Sequence, residues 1–394
     1  MNLVEYRHSR LDMAAAEGGY DLLVASLPAN IDYISGYHSV GQDCMQRTQA
    51  YVLYVPVKRR IIYAMGYAEL PSIVECAGLD AEIFCCGGFR FSGNKGDALS
   101  ELAVKLGANR YASNEEALAA AIKATGAKKV ALDESRVNQV YWQNICKACG
   151  DGITLEPGTD VFMKARFLKH PDEIAGIERS TEIAERSLLA MLDQFQIGMT
   201  EHDLQQIYIQ EVLKRGADPL FFVGTAAKRA AYSDTINTGL RIGKGDMIRF
   251  DFGCLWHGYC SDLARTATVG APEQKVADYY HAIVCGVRAG IAAVKPGAIA
   301  EDVFKAAMDA TIQNGLPHYE RHHCGHGIGI ELYDSPSIAP GDKTPLQEQM
   351  TLCIETPYYE LGWGGIQIED TIEITKDGAR YLDKTGDDLI VLDV

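Results

Sequence analysis

The sequence predicts two domains: an α/β domain over residues 1–165 and, over residues 166–394, an α+β domain with an internal pseudo-twofold repeat. Three observations carry this. Apolar strand-like runs alternate with helical stretches as far as about Ile153, a long amphipathic pattern opens at Pro171, and the sequence beyond it matches itself at an offset of 99 positions. A length of 394 residues also exceeds what one hydrophobic core usually organises.

In the first domain Leu22-Leu23-Val24-Ala25, Ala50 to Val55 and Val130-Ala131-Leu132 read as strands, and Tyr67 to Ala77 and Glu115 to Thr125 as helices. Lys58-Arg59-Arg60 lies between two apolar runs and reads as a hairpin turn. The boundary lies near Arg166 to Asp172, where Lys169-His170-Pro171-Asp172 precedes a long helical period. Ile174, Ile177, Ile183, Leu188, Leu189 and Leu192 then recur along one broad face, as in a helix entered at Pro171, where a missing N–H costs nothing. In the repeat, Gly198, Asp203 and Gly216 fall on Gly297, Asp302 and Gly315, and Thr200 with Asp203 resembles an N-cap and its third-position acid. Two helices that merely begin and end alike would give the same match. A pair of αβ halves facing each other across a cleft explains more, because an acidic pair follows each copy.

Hydrophobic residues at 47% and charged residues at 23% exclude disorder as the default. A net charge of -16 with no Lys/Arg cluster argues against nucleic acid or an acidic membrane as partner. The polar N-terminus, and the lack of any apolar run near the ~20 residues of a membrane span, lead us to expect no signal peptide, no membrane association and a cytoplasmic location. The 11 cysteines include one CxxC, Cys146 to Cys149, with no second pair to complete a zinc spacing, and are expected to be reduced thiols.

The chemistry is carried by acids that end apolar runs. Asp251 closes Met247-Ile248-Arg249-Phe250-Asp251, and Asp262 follows beyond a turn at Trp256-His257-Gly258. The second half offers Ile354-Glu355 and Ile368-Glu369-Asp370, with Gly362, Gly364 and Gly365 expected to form the turn between them. Between the halves stands Gly325-His326-Gly327, whose glycines would let a ligand approach the backbone. Singly, each acid reads as a solvated or capping residue. Together, Asp251, Asp262, His326, Glu355 and Glu369 form a hard, oxygen-rich set suited to two divalent ions, Mn2+, Co2+, Fe2+ or Zn2+, since four carboxylates do not bury together without cations.

These five motifs, in this order, resemble the superfamily of prolidase, aminopeptidase P, methionine aminopeptidase and creatinase, whose catalytic domain has the pita-bread fold. Pro28 to Tyr37 is similar to the signature loop of the creatinase/prolidase N-terminal domain, and Lys164 to Lys169 with Glu173-Ile174 to the interdomain junction, which favours the prolidase branch. The resemblance implies that Asp251 chelates one metal, His326 and Glu355 the other, and Asp262 and Glu369 both. It further implies that a metal-activated hydroxide attacks an amide carbonyl of a small peptide or other small amide, and that Glu355 passes the proton to the departing amine. A homodimer is implied in the same way.

The substrate-facing positions depart from that pattern. His322, four residues before His326, matches a family histidine expected to act in catalysis, but two others are replaced by Asp234 and Tyr333, and a common arginine by Gln367. Tyr333 retains a hydroxyl that can stabilise an oxyanion, and Asp234 could hold a substrate amine. His323 is expected to be a structural or exposed histidine. The resemblance therefore implies an Xaa-Pro aminopeptidase or prolidase type of hydrolase with non-standard specificity. The alternative is a small-molecule enzyme on the same fold, a creatinase-like C–N hydrolase or a lyase, and a third reading is a catalytically silent binding module.

Overall fold

The computed structural model describes residues 1–45 and 49–393, which form two compact units, Met1–Arg166 and Phe167–Val394. The first unit is a six-stranded mixed sheet of β1 (Leu22–Ala25), β2 (Tyr51–Val55), β3 (Arg60–Gly66), β4 (Glu82–Cys86), β5 (Lys129–Leu132) and β6 (Thr154–Pro157), in the order β4-β3-β2-β1-β5-β6. The central strands β1 and β2 are buried throughout, so their runs are apolar on both faces. Leu118 and Ile122 of the helix Asn114–Thr125 pack against them. The segment expected to be a signature loop is largely helical, Pro28–Ser35: Pro28 sits in the first turn and Gly36 closes the helix at φ 68°. Buried Asp133 holds that helix by accepting from the Leu27 N–H at 2.8 Å and from Asn30 Nδ2 at 2.8 Å.

The second unit contains β7 (Asp218–Ala226), β8 (Met247–Trp256), β9 (Tyr259–Cys260), β10 (Leu263–Val269), β11 (Gly325–Gly327), β12 (Asp334–Ser337), β13 (Thr351–Glu355), β14 (Tyr358–Glu360), β15 (Gly364–Ile366), β16 (Glu369–Thr375), β17 (Gly378–Tyr381) and β18 (Ile390–Leu392). Its main sheet runs β12-β11-β13-β16-β10-β8-β7. Apart from β12 at one edge, the order is a mirror of itself about the β10/β16 junction, with β10, β8 and β7 answering β16, β13 and β11. Helices repeat as well: Pro171–Leu192 and Glu201–Lys214 precede the first set of strands, Gln274–Ala293 and Ala300–Gln313 the second. The matched glycines share left-handed backbone, Gly198 at φ 91° with Gly297 at 85° and Gly216 at 79° with Gly315 at 122°. The copies differ at the cap: Thr200 and Asp203 make a reciprocal capping box, whereas Ile299 has no side-chain bond to give.

Each half buries its own core. Ile183, Leu188, Leu204 and Tyr208 of the first helix pair meet Phe250 and Phe252 of β8, while Ile283, Val287, Val303 and Ala307 meet Leu352, Ile354 and Ile372. Complete burial of one such side chain contributes about 1.5–3 kcal/mol, so the strand alternation is fixed firmly. With Phe250 and Phe252 toward the helices, Asp251 must face the other side, and Ile354 orients Glu355 in the same way. Leu189, expected on the buried helix face, is 43% exposed, because that apolar stripe is narrower than the sequence pattern suggested. Gly364 and Gly365 also lie outside the expected turn. They belong to β15, which forms a hairpin with β14, and a side chain on Gly365 would come within 2.1 Å of the Ala230 carbonyl.

Candidate metal centre

The strand registers line the acids up in rows across the site face. Asp251 on β8 pairs with Ala264 on β10, Ala264 with Glu369 on β16, and Glu369 with Glu355 on β13. The methyl side chain of Ala264 leaves the middle of this row open. One step along, His326 pairs with Cys353 and Cys353 with Thr371, and Asp262 lies two residues before Ala264, on the same face. Thus all five expected ligands come from four strands of one sheet plus the residue just before β10. The glycines beside His326 serve the sheet rather than a ligand: a side chain on Gly325, at φ 137°, would meet the Cys353 carbonyl at 2.0 Å, and one on Gly327 the Ser335 carbonyl at 2.4 Å.

His326 Nδ1 lies 3.0 Å from the Gly327 carbonyl, which can only accept, so Nδ1 carries the proton and Nε2 offers its lone pair. That lone pair faces Asp262 Oδ2 at 3.5 Å and Glu369 Oε1 at 3.9 Å, and Glu369 Oε1 is buried without a hydrogen-bond partner. Three acceptors pointing at one another require a proton or a cation between them. Burial also pushes all four carboxylates upward, Asp251 to about 7 and Glu369 furthest, with the neighbouring acids adding to both. The donor set therefore fits divalent metal: hard oxygens and one imidazole, at spacings that a cation with bonds of about 2.0–2.2 Å would tighten.

Cys353 Sγ shares this cluster, its ligand atom lying within 4.8 Å of those of Asp262, His326 and Glu369. Burial holds the thiol well above its usual pKa, and its nearest acceptors are the Asp262 carbonyl at 3.7 Å and Thr371 Oγ1 at 3.6 Å. Without metal, burial keeps it a protonated thiol packed beside the site.

A cavity of about 780 Å³ opens over these residues. Asp234, His322, Tyr333 and Gln367 all line it, but in unequal ways. Asp234 is exposed and accepts from Ser233 Oγ at 3.4 Å. Tyr333 is 56% exposed and lies flat on the His326 ring, with centroids 3.7 Å apart and planes at 23°, so it covers the imidazole. His322 is exposed, its ring centroid 4.4 Å from that of His323. His323, expected to be structural or exposed, is not exposed: its Nδ1 accepts from the Gly325 N–H at 3.4 Å and lies 3.2 Å from Glu355 Oε1 where the residue lines the cavity, and burial together with Arg321 lowers it to about 4, so it is neutral. Gln367 is buried between Glu355 and Glu369.

Three further residues belong to this site. Arg249 is fully buried against Asp251 and Gln367, Arg321 stands 3.9 Å from Glu355, and Tyr359 donates to Gln367 Oε1 at 3.2 Å. Arg249 had a legible signal, since it lies two residues before Asp251 and so shares its face. Arg321, in an irregular segment, had none.

One imidazole and four converging carboxylates on a pseudo-twofold sheet define a metal-dependent hydrolase. Comparison with known proteins makes the class specific: residues 175–376 match metallopeptidase family M24, and the chain belongs to that family. It is 32% identical to the Xaa-Pro dipeptidase of Pyrococcus furiosus over 233 residues, 59% of this chain and 67% of that one. The structure is similar to an Xaa-Pro dipeptidase from Bacillus anthracis, with TM-score 0.82, 23% identity, and 99% of this chain and 100% of the other covered. It is equally similar to an X-Pro aminopeptidase from Thermotoga maritima, with TM-score 0.81, 21% identity, and 98% and 99% covered. The two structural likenesses span nearly the whole chain and establish the N-terminal α/β domain and the pita-bread fold. The protein is a peptide-hydrolysing enzyme that uses divalent metal, and the silent-module reading is set aside. Among the described residues no helix is long and apolar enough to cross a membrane.

Proposed function

We propose that this chain removes an N-terminal residue from short peptides, as an Xaa-Pro peptidase-type enzyme with altered specificity, and holds two divalent ions with Asp251, Asp262, His326, Glu355 and Glu369. The observation that carries the reading is the convergence of the four carboxylates on one cavity that Asp234, Tyr333 and Arg321 also line, with the His326 imidazole beside them beneath the Tyr333 ring. Bound metal would supply a nucleophile acidified to near-neutral pKa and polarise the scissile carbonyl.

The chain's own groups do the rest. Glu355 lies between His323 at 3.2 Å and Gln367 at 3.4 Å, and is placed to receive a proton and hand it to the departing amine. The Tyr333 hydroxyl donates to the developing oxyanion, while its ring keeps bulk water from His326. Exposed Asp234 takes the substrate ammonium, the role that replaces a histidine there. His322, at the cavity edge, orients the peptide.

A metal-supplemented screen across Xaa-Pro dipeptides, other short peptides with free and acetylated N-termini, amidines and cyclic amides tests this. We expect cleavage of free N-terminal peptides, poor turnover of Xaa-Pro dipeptides and none of acetylated ones. Efficient Xaa-Pro turnover would refute the altered specificity, and cleavage of amidines alone would refute the peptidase reading. A homodimer and a cytoplasmic location complete the proposal. Light scattering on the purified protein checks the first, and fractionation of cells checks the second.

A further inference from the structure

The five N–H donors of Arg249 all have acceptors. Nε donates to the Ala230 carbonyl at 3.0 Å, and Nη2 to the carbonyls of Tyr232 at 2.8 Å and Ser233 at 2.9 Å. Nη1 donates to Asp251 Oδ2 at 3.2 Å and Gln367 Oε1 at 2.8 Å. Its side chain has no exposure at all. A guanidinium only donates and a carboxylate only accepts, so the amide of Gln367 has one permitted orientation. Its oxygen faces Arg249 and the Tyr359 hydroxyl, and its NH2 faces Glu355 Oε2 and Glu369 Oε2, both at 3.4 Å. The register explains the meeting: Arg249 pairs with Thr266, and Thr266 exchanges hydrogen bonds with the Gln367 backbone, so the two side chains flank one residue of β10.

We propose that Arg249 is a positioning residue which fixes three proposed metal-binding carboxylates from both halves of the sheet, Asp251 directly and Glu355 and Glu369 through Gln367, and joins them to the 230–233 segment that leads to Asp234. This rests on the metal-site reading above. Such a relay sets the affinity of the site, because ligands already oriented lose less freedom when an ion binds. It also makes the two residues interdependent. A guanidinium at position 367 is harmful while Arg249 is present, since two cations would then meet where an amide oxygen now accepts.

Mn2+ titration by calorimetry of the metal-stripped full chain tests the relay, with circular dichroism confirming the fold of each variant. Gln367→Leu, which leaves four of the five Arg249 donors satisfied, is expected to weaken Mn2+ about 10–100-fold. Gln367→Arg should do the same or worse. The double variant Arg249→Gln/Gln367→Arg, which returns one guanidinium and one amide to the same pair of positions, should recover most of the affinity and lower KM relative to either single variant. Wild-type Mn2+ affinity in Gln367→Leu, or a double variant as weak as the sum of its parts, would overturn the relay. A wild-type protein that takes up no Mn2+ would overturn the metal site and the relay with it.

Discussion

The two faces of the central sheet bury acids in opposite ways. On the helix face, Arg265 lies 2.9 Å from Asp370 and 3.3 Å from Asp383, each of the three almost wholly buried. Asp383, raised to about 8 by burial and by Asp370, keeps its proton and donates to Asp370, and buried Glu185 accepts from the N–H groups of Lys384 and Thr385 at 3.0 and 2.6 Å. An arginine, a retained proton and backbone amides thus balance that cluster internally. Across the sheet, Glu369 is next to Asp370 and Asp262 stands three residues before Arg265, yet among the described residues no arginine or lysine lies within ion-pair distance of either, and only the His326 imidazole Nε2 faces both. Buried acidity alone therefore does not mark a metal site. What marks it is acidity that the protein leaves uncompensated.

Removing one of the two proposed shared ligands should give the largest effect. Asp262→Ala or Glu369→Ala is expected to lower turnover by at least about 10³-fold, since the ion's capacity to bring water from a pKa of 15.7 to about 7 is lost with it. Elemental analysis should show metal content reduced while thermal stability of the metal-free protein holds or rises, because like charge has been removed. Wild-type turnover in either variant would exclude a ligand role.

The helix face should respond in reverse. Arg265→Met strips a buried cluster of its cation and should destabilise the chain by about 3–5 kcal/mol. Urea melts would show it, with kcat of the folded fraction changed little. A silent Arg265→Met would mean that the contrast between the faces is not electrostatic.

Acidity also separates the faces through pH. Asp251 is raised to about 7, by burial first and Asp262 second, from an unfolded value of 3.8. The folded state thus binds the proton more tightly, and the contribution of Asp251 to the stability of the metal-stripped protein is fully present below about pH 4 and is lost as pH rises through about 7, by on the order of a few kcal/mol. Saturating Mn2+ should cancel this fall, since the metal requires the ionised form. The part due to Asp383, which continues as pH rises and levels off only near 8, should persist with metal bound. Thermal melts from pH 5 to 9, with and without Mn2+, separate the two, and a fall that metal leaves untouched would assign all of it to the helix face.

The site face was legible to the extent that strand period exposes it. Apolar neighbours such as Phe250, Phe252 and Ile354 fix the buried side, so the acids between them had to share the other, and the repeat supplied the pairing of halves. The same rule placed Arg249 and Cys353 on that face, but both sat inside strongly apolar runs where one polar or sulfur atom carries little weight. His323 and Arg321 lie outside any regular period, and only tertiary packing turns them inward. The β14–β15 hairpin hid behind glycines that are as common in turns as in close-packed strands.

Cys353 offers the smallest effect and the sharpest test of what distinguishes the site face. It occupies the row of His326, within 4.8 Å of three expected ligand atoms, yet its proton has carbonyl and hydroxyl acceptors and burial keeps it in place. If oxygen donors and one imidazole make the site, Cys353→Ser should change Mn2+ affinity by less than about 3-fold, because a neutral thiol that does not coordinate contributes packing and no charge. Co2+-loaded wild type should then lack the near-ultraviolet charge-transfer band of a cobalt–thiolate bond. Such a band, lost in Cys353→Ser, would show that the metal pulls the thiol proton away, and the site face would then hold a fifth anion that its geometry gives no sign of needing.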